Sequence, residues 1–402
     1  MRRLAVALSH RDFRLLWTGA LGSSIGTWMQ KVAQAWLIVT LAGSSSAFFL
    51  GLDSFVGELP ILLLTLVGGV VADRYDRRQV LIRSQIVQMS TALTLAALVY
   101  FDAVHVGTIL ALSFVAGLGQ AFGGPAYQAL IPSLVEKKDL PNAIALNSIQ
   151  FNLARVIGPL LAGATLAAWG GAACFGLNGL SFLVVIFALL GMSIRHVKPA
   201  EQKPMMDEMR GGLRYAKGES AIVALTVLGG LTTFLGLPLL TFLPVFAKDV
   251  FGGDINRFSH MMAFSGAGAV CGALVTAWLG RFRHMGRTLL TILAVFGALV
   301  TAFALSRVGW LSNLLLFLTG GTLLMTFSMT SSLVQLIVPD HLRGRVMSIY
   351  MVAFRGGMPL GSLAAGYAAT WTSAPTVLAV NGVLIVCVAL YFLVRSHGVR
   401  EL

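Results

Sequence analysis

Long apolar runs alternate with short charged stretches along the whole chain, and each run has about the length a helix needs to cross a bilayer. Twelve runs are legible, at 13–41, 48–72, 79–101, 106–131, 142–169, 172–194, 221–247, 258–280, 288–305, 310–338, 346–371 and 375–394. The pattern predicts an all-α integral membrane protein of about twelve transmembrane helices. An even number of crossings puts both termini on one side. Of the 29 Lys and Arg, three lie deep inside runs (Lys31, Arg155, Arg355) and three in one set of loops (Lys248, Arg257, Arg307). All the others lie at the termini, in the loops after runs two, four, six, eight and ten, or, as Arg14 and Arg83, within the first few residues of a run on that same side. By the positive-inside rule those loops and both termini are cytoplasmic.

A polar stretch after the sixth run divides the chain nearly in half. The expected organisation is a six-helix half at 1–194, a cytoplasmic linker at 195–220 ending in a short amphipathic surface helix, and a second six-helix half at 221–402. The halves echo one another. Ser148, Arg155 and Pro159 in run five recur at an offset of 200 residues as Ser348, Arg355 and Pro359 in run eleven. Two parallel six-helix halves related by an axis along the membrane normal would produce such an echo, with a substrate site near the midplane.

Composition supports the membrane reading and narrows the alternatives. The chain is 57% hydrophobic and 11% charged, with a mean hydropathy of +0.83, whereas soluble domains carry about 25% charged residues. A net charge of +13 and a pI near 10.2 belong to membrane topology, because no soluble domain with a basic face is visible to take nucleic acid. Cys174, Cys271 and Cys387 lie in or beside apolar runs and read as small packing residues. Residues 1–14 are basic but lack the compact apolar core and cleavage site of a secretory signal. No Gly-x-x-x-x-Gly-Lys-Ser/Thr run encodes an ATP motor, no His or Cys cluster has metal-ligand spacing, and no nucleophile–base constellation suggests an enzyme. Neither cofactor nor metal is expected.

Ionisable groups inside the runs are the sharpest chemical clues, since each costs about 2.5–3.5 kcal/mol at the bilayer centre on insertion scales. Apart from Arg14 and Arg83 near the ends of runs one and three, five are present: Lys31, Asp53, Glu58, Arg155 and Arg355. Lys31 and Glu58 each lie ten residues from the outer ends of runs one and two, hence ~15 Å deep at 1.5 Å per residue. They could form an ion pair, either structural or coupled to protons, and Asp53 sits shallower. Ser23, Thr27, Gln30, Lys31 and Gln34 gather on one face of run one, and Ser148, Asn152, Arg155 and Pro159 on one face of run five. Such stripes line a cavity or hydrogen-bond between helices. Candidate substrate contacts are therefore Thr27, Gln30, Gln34, Asn152, Arg155 and Arg355, and candidate proton carriers are Glu58, Lys31 and Asp53.

The loop Gly69-Val-Val-Ala-Asp-Arg-Tyr-Asp-Arg-Arg-Gln-Val-Leu81 packs five charges between runs two and three. It resembles the signature of the major facilitator superfamily, with Asp76 where the general pattern prefers glycine. The Tyr-Asp pair is similar to the branch holding enterobactin-exporter-like and macrolide-efflux-like proteins. This resemblance implies a conformational latch made by Gly69, Asp73, Arg74, Arg77 and Arg78, with Asp73 facing the positive end of another helix near Gly344. Gly158-Pro159 followed by Gly163 resembles a reduced form of the glycine-proline motif of facilitator antiporters.

The implied function is secondary active transport by alternating access, with proton-coupled efflux of drugs, siderophores or similar amphipathic small molecules. The expected protein is a monomer in a cell membrane, the bacterial cytoplasmic membrane by resemblance, with protons as coupling ion. Trp28, Trp36 and Tyr127, in or beside polar stripes, suit a large amphipathic ligand. The alternatives are a facilitator-type importer, a lysophospholipid flippase, or a non-transporting membrane scaffold or sensor.

Overall fold

The computed structural model describes residues 6–192, 218–280, 282–339, 342–395 and 398–402. The linker and the amphipathic helix expected within 195–220 fall almost wholly outside these residues. Helix α1 covers Arg11–Ala42, α2 Ser46–Arg74, α3 Arg77–Tyr100 and α4 Val106–Leu130. The stretch Leu140–Leu190 holds two helices, α5 (140–169) and α6 (171–190), separated at Gly170 with φ 77° and ψ 179°. Only a residue without Cβ adopts that backbone conformation readily, so a single glycine turns the chain between two spans.

Helix α7 is Ser220–Val250. It is jointed, because Pro238 and Pro244 withhold amide donors and the run ends in a π-turn over Phe246–Val250. There follow α8 (Ile255–Leu279), α9 (Met285–Leu305), α10 (Gly309–Ile337), α11 (Arg343–Trp371) and α12 (Ala374–Arg395). Twelve helices thus stand among the described residues where twelve runs were expected. Nearly all are long and apolar enough to cross a membrane; α11, which carries Arg343, Arg345 and Arg355, falls short of that measure.

The chain forms two compact units. One comprises Met1–Gly43, Val56–Ala200 and Ile255–Ser259, and the other Ser44–Phe55, Glu201–Asp254 and His260–Leu402. In the first, α1 packs on α5 and α6, while α3 packs on α4 and α6. In the second, α7 packs on α11, while α9 packs on α10 and α12. The pairings repeat six helices later, as the sequence echo anticipates. Two of the three echoed pairs also share environments: Ser148 and Ser348 are exposed, and Pro159 and Pro359 are buried, whereas Arg155 is partly buried and Arg355 exposed.

Two small crossings complete the units. In the second, Gly51 at the start of α2 lies against Ser362 of α11. In the first, Gly163 of α5 lies against Ser259 at the start of α8, beside Trp36 stacked on Phe258 with ring centroids 6.4 Å apart. Lipid tails are as apolar as leucine, so close backbone packing at small residues carries helix association here. The outward faces remain apolar, with Leu63 63% and Phe187 67% exposed, which suits acyl chains and would be an aggregation liability in water. The first unit's side-chain core lies toward its charged-loop end, where Phe13, Leu16, Leu81, Leu130, Val185 and Leu189 are buried together.

Candidate functional site

The charged loop between α2 and α3 is a tie for three helix ends. An α-helix leaves its last carbonyls unpaired at the negative end of its dipole, and cations settle there. The Arg77 guanidinium donates to Ala129 O in the last turn of α4 at 2.9 Å and to Ala72 O in the last turn of α2 at 3.2 Å. Arg78 donates from Nη2 to Leu190 O, the last residue of α6, at 2.8 Å. Asp73 Oδ1 lies 3.5 Å from Arg77 Nη2, which steadies that fork. Asp76, a departure from the family pattern, caps α3 by accepting the Arg78 amide at 2.9 Å. Arg74 is exposed. Gly69, which the sequence singled out, has open space where a Cβ would stand. Its neighbour Gly68 is the one pressed against the Ala121 carbonyl of α4.

A second cluster lies between α1 and α5. Gly158 lets the helices approach until a Cβ there would stand 2.5 Å from Trp28 Cβ and 2.9 Å from Ile25 O. One turn earlier on α5, Arg155 is thereby brought over the Trp28 indole, its Cζ 5.8 Å from the ring centroid. Lys31, three residues along α1, places Nζ 5.2 Å from the same centroid. Phe151 packs edge-on against the indole at 6.1 Å. Sequence reading took Lys31 and Arg155 separately, and Trp28, which joins them, was only one of several aromatic residues noted.

Around this cluster the polar stripe of α1 is engaged between helices. Gln30 accepts from Asn178 Nδ2 of α6 at 2.6 Å, and Gln34 donates to Ser113 Oγ of α4 at 2.9 Å. Buried Gln150 donates to Ser24 Oγ at 2.8 Å, and the Tyr127 hydroxyl donates to Asn147 Oδ1 at 2.7 Å. Of the two meanings of a polar stripe, Gln30 and Gln34 therefore take interhelical hydrogen bonding. Asn178 and Gln150 were not singled out, although each is a polar residue inside an apolar run. Thr27 is partly buried, and Asn152 donates to Ser148 O within its own helix at 2.9 Å.

The ion pair that Lys31 and Glu58 could form is not present: neither residue joins any salt bridge among the described residues. Equal depth does not set the angle about the helix axis, and Lys31 turns to the indole instead. Glu58 and Asp53 are partly buried on α2, and Arg355 of α11 is exposed.

Comparison with known proteins places this architecture. The family model described as transmembrane secretion effector matches residues 4–400. A staphyloferrin A transporter of Staphylococcus aureus is 25% identical over 92% of each chain. Macrolide efflux protein A of Streptococcus pyogenes is 23% identical over 94% of each. The fold is similar to the crystal structure of a bacterial homologue of the human lysosomal transporter Spinster, with a TM-score of 0.77 at 14% identity over 96% of each chain. The chain therefore belongs to the transmembrane secretion effector family of the major facilitator superfamily, and is a multi-pass membrane transporter of small molecules and not an enzyme.

Proposed function

We propose that this protein is a secondary active exporter that works by alternating access and couples the outward movement of amphipathic small molecules to protons. The observation that carries the reading is the full-length match to relatives named for siderophore transport and macrolide efflux. It is supported by ionisable and aromatic residues at membrane depth, which are costly there unless they serve a cavity or a partner. Its organisation is two six-helix halves, 1–194 and 221–402, joined by a linker at 195–220. It acts as a monomer in the bacterial cytoplasmic membrane with both termini cytoplasmic.

Glu58 carries the coupling proton in this scheme, with Lys31 as the group that modulates it and Asp53 as the next candidate. The loop residues Gly69, Asp73, Arg74, Arg77 and Arg78 form the latch. Thr27, Asn152, Arg155 and Arg355 line the substrate path, with Gln30 and Gln34 tying the helices behind it. Glu58→Gln in proteoliposomes tests the coupling step. The variant is expected to lose accumulation driven by a pH gradient while keeping exchange between compartments of equal pH. A variant that still concentrates substrate on a pH gradient alone excludes Glu58 as carrier.

A further inference from the structure

We infer that the α1–α5 cluster binds the anionic end of an aromatic or amphipathic substrate, with Arg155 and Lys31 taking the negative group and Trp28 the adjoining ring or apolar body. This deepens the transporter reading above by naming the substrate class.

Two cations share one indole at membrane depth, 5.2 and 5.8 Å from its centroid. Neither Lys31 nor Arg155 makes a salt bridge or hydrogen bond to any described residue. Arg155 is partly buried and Lys31 exposed, so the ammonium stands open while the guanidinium is held against the ring. A cation–π contact stabilises such a charge by less than the cost of placing it mid-membrane. A structural ion pair would have closed the difference with a carboxylate, and Glu58 does not supply one. The nearby Gln30, Gln34 and Gln150 are already committed to Asn178, Ser113 and Ser24. The strongest hydrogen-bonding capacity left in the cluster is thus cationic. A guanidinium matches a carboxylate, sulfonate or phosphate by its planar fork, and the ammonium adds a second, movable point charge. The indole and Phe151 supply the flat apolar surface that a neutral sugar or a simple inorganic anion would not use. A cationic drug would meet like charge here.

Calorimetric titration of the full-length protein in nanodiscs with 1-naphthalenesulfonate and with 1-naphthylmethylammonium tests this. The sulfonate is expected to bind at least about ten-fold more tightly than the ammonium, a modest requirement for one charge-assisted contact. Arg155→Gln and Lys31→Gln should each erase most of that preference, and Arg155→Lys should retain part of it because the charge remains. If a glutamine variant does not fold, Trp28→Leu should weaken both probes while leaving the sulfonate preferred. Equal binding of the two probes, preference for the ammonium, no binding of the sulfonate, or an unchanged preference in folded Arg155→Gln overturns the inference. Transport of a cationic or neutral compound by the same preparation would leave the transporter reading standing and remove only the substrate class.

Discussion

Arg77 shows how one side chain can hold three helices. Its carbonyl contacts are charge-assisted, worth about 1.5–3 kcal/mol each where buried and less where water competes. Arg77→Gln is expected to lower the thermal unfolding temperature of the purified protein, and Arg77→Lys to recover only part, since an ammonium cannot fork to Ala129 O and Ala72 O together. An unaltered melting profile in Arg77→Gln would show that the tie carries no stability. Asp73→Asn differs, because it leaves those carbonyl contacts in place. It should keep expression and melting near wild type while slowing transport, since a charge at a helix terminus contributes about 0.3–2 kcal/mol. At this scale the sequence was partly legible. Five charges in a short loop announced a constrained turn, although the capping role of Asp76 was not read from it. The missing Lys31–Glu58 pair marks the limit, because counting residues from a membrane surface yields depth and no azimuth.

Helix packing turns on which glycine faces a neighbour. Gly68→Ala should destabilise the protein by about 1–3 kcal/mol, as its Cβ would collide with the Ala121 carbonyl, while Gly69→Ala should be close to neutral. Paired melting curves decide this, and equal effects would contradict the assigned packing. The family signature highlights Gly69, so sequence alone points one residue away from the contact. Helix limits, in contrast, were readable to within a few residues, because charged loops and apolar spans differ so sharply. The expected breaks at 169–172 and 247–258 correspond to Gly170 and to the π-turn ending α7. The joint inside α7 was harder to foresee, since Pro238 and Pro244 are compatible with a spanning helix when neighbours re-satisfy the backbone.

For the molecule as a whole, the fold was legible because a bilayer leaves few options: helices of fixed length, charge asymmetry across them, and a repeat that survives as Ser148–Arg155–Pro159 and Ser348–Arg355–Pro359. The chemistry of the α1–α5 cluster was less so, because it depends on which faces of the two helices meet. Topology is open to a direct check once Cys271 and Cys387, both exposed, are replaced by serine. Ser45→Cys should then label from outside and Gln202→Cys from inside, and outside labelling at Gln202 would overturn the orientation. The most direct test of the central claim is proton movement in proteoliposomes holding the wild-type protein and an internal pH dye. Adding members of a chemically diverse panel of amphipathic compounds, anionic aromatics included, should produce substrate-dependent proton flux that a protonophore abolishes. Specific binding of panel members with no proton movement for any of them would contradict proton-coupled transport.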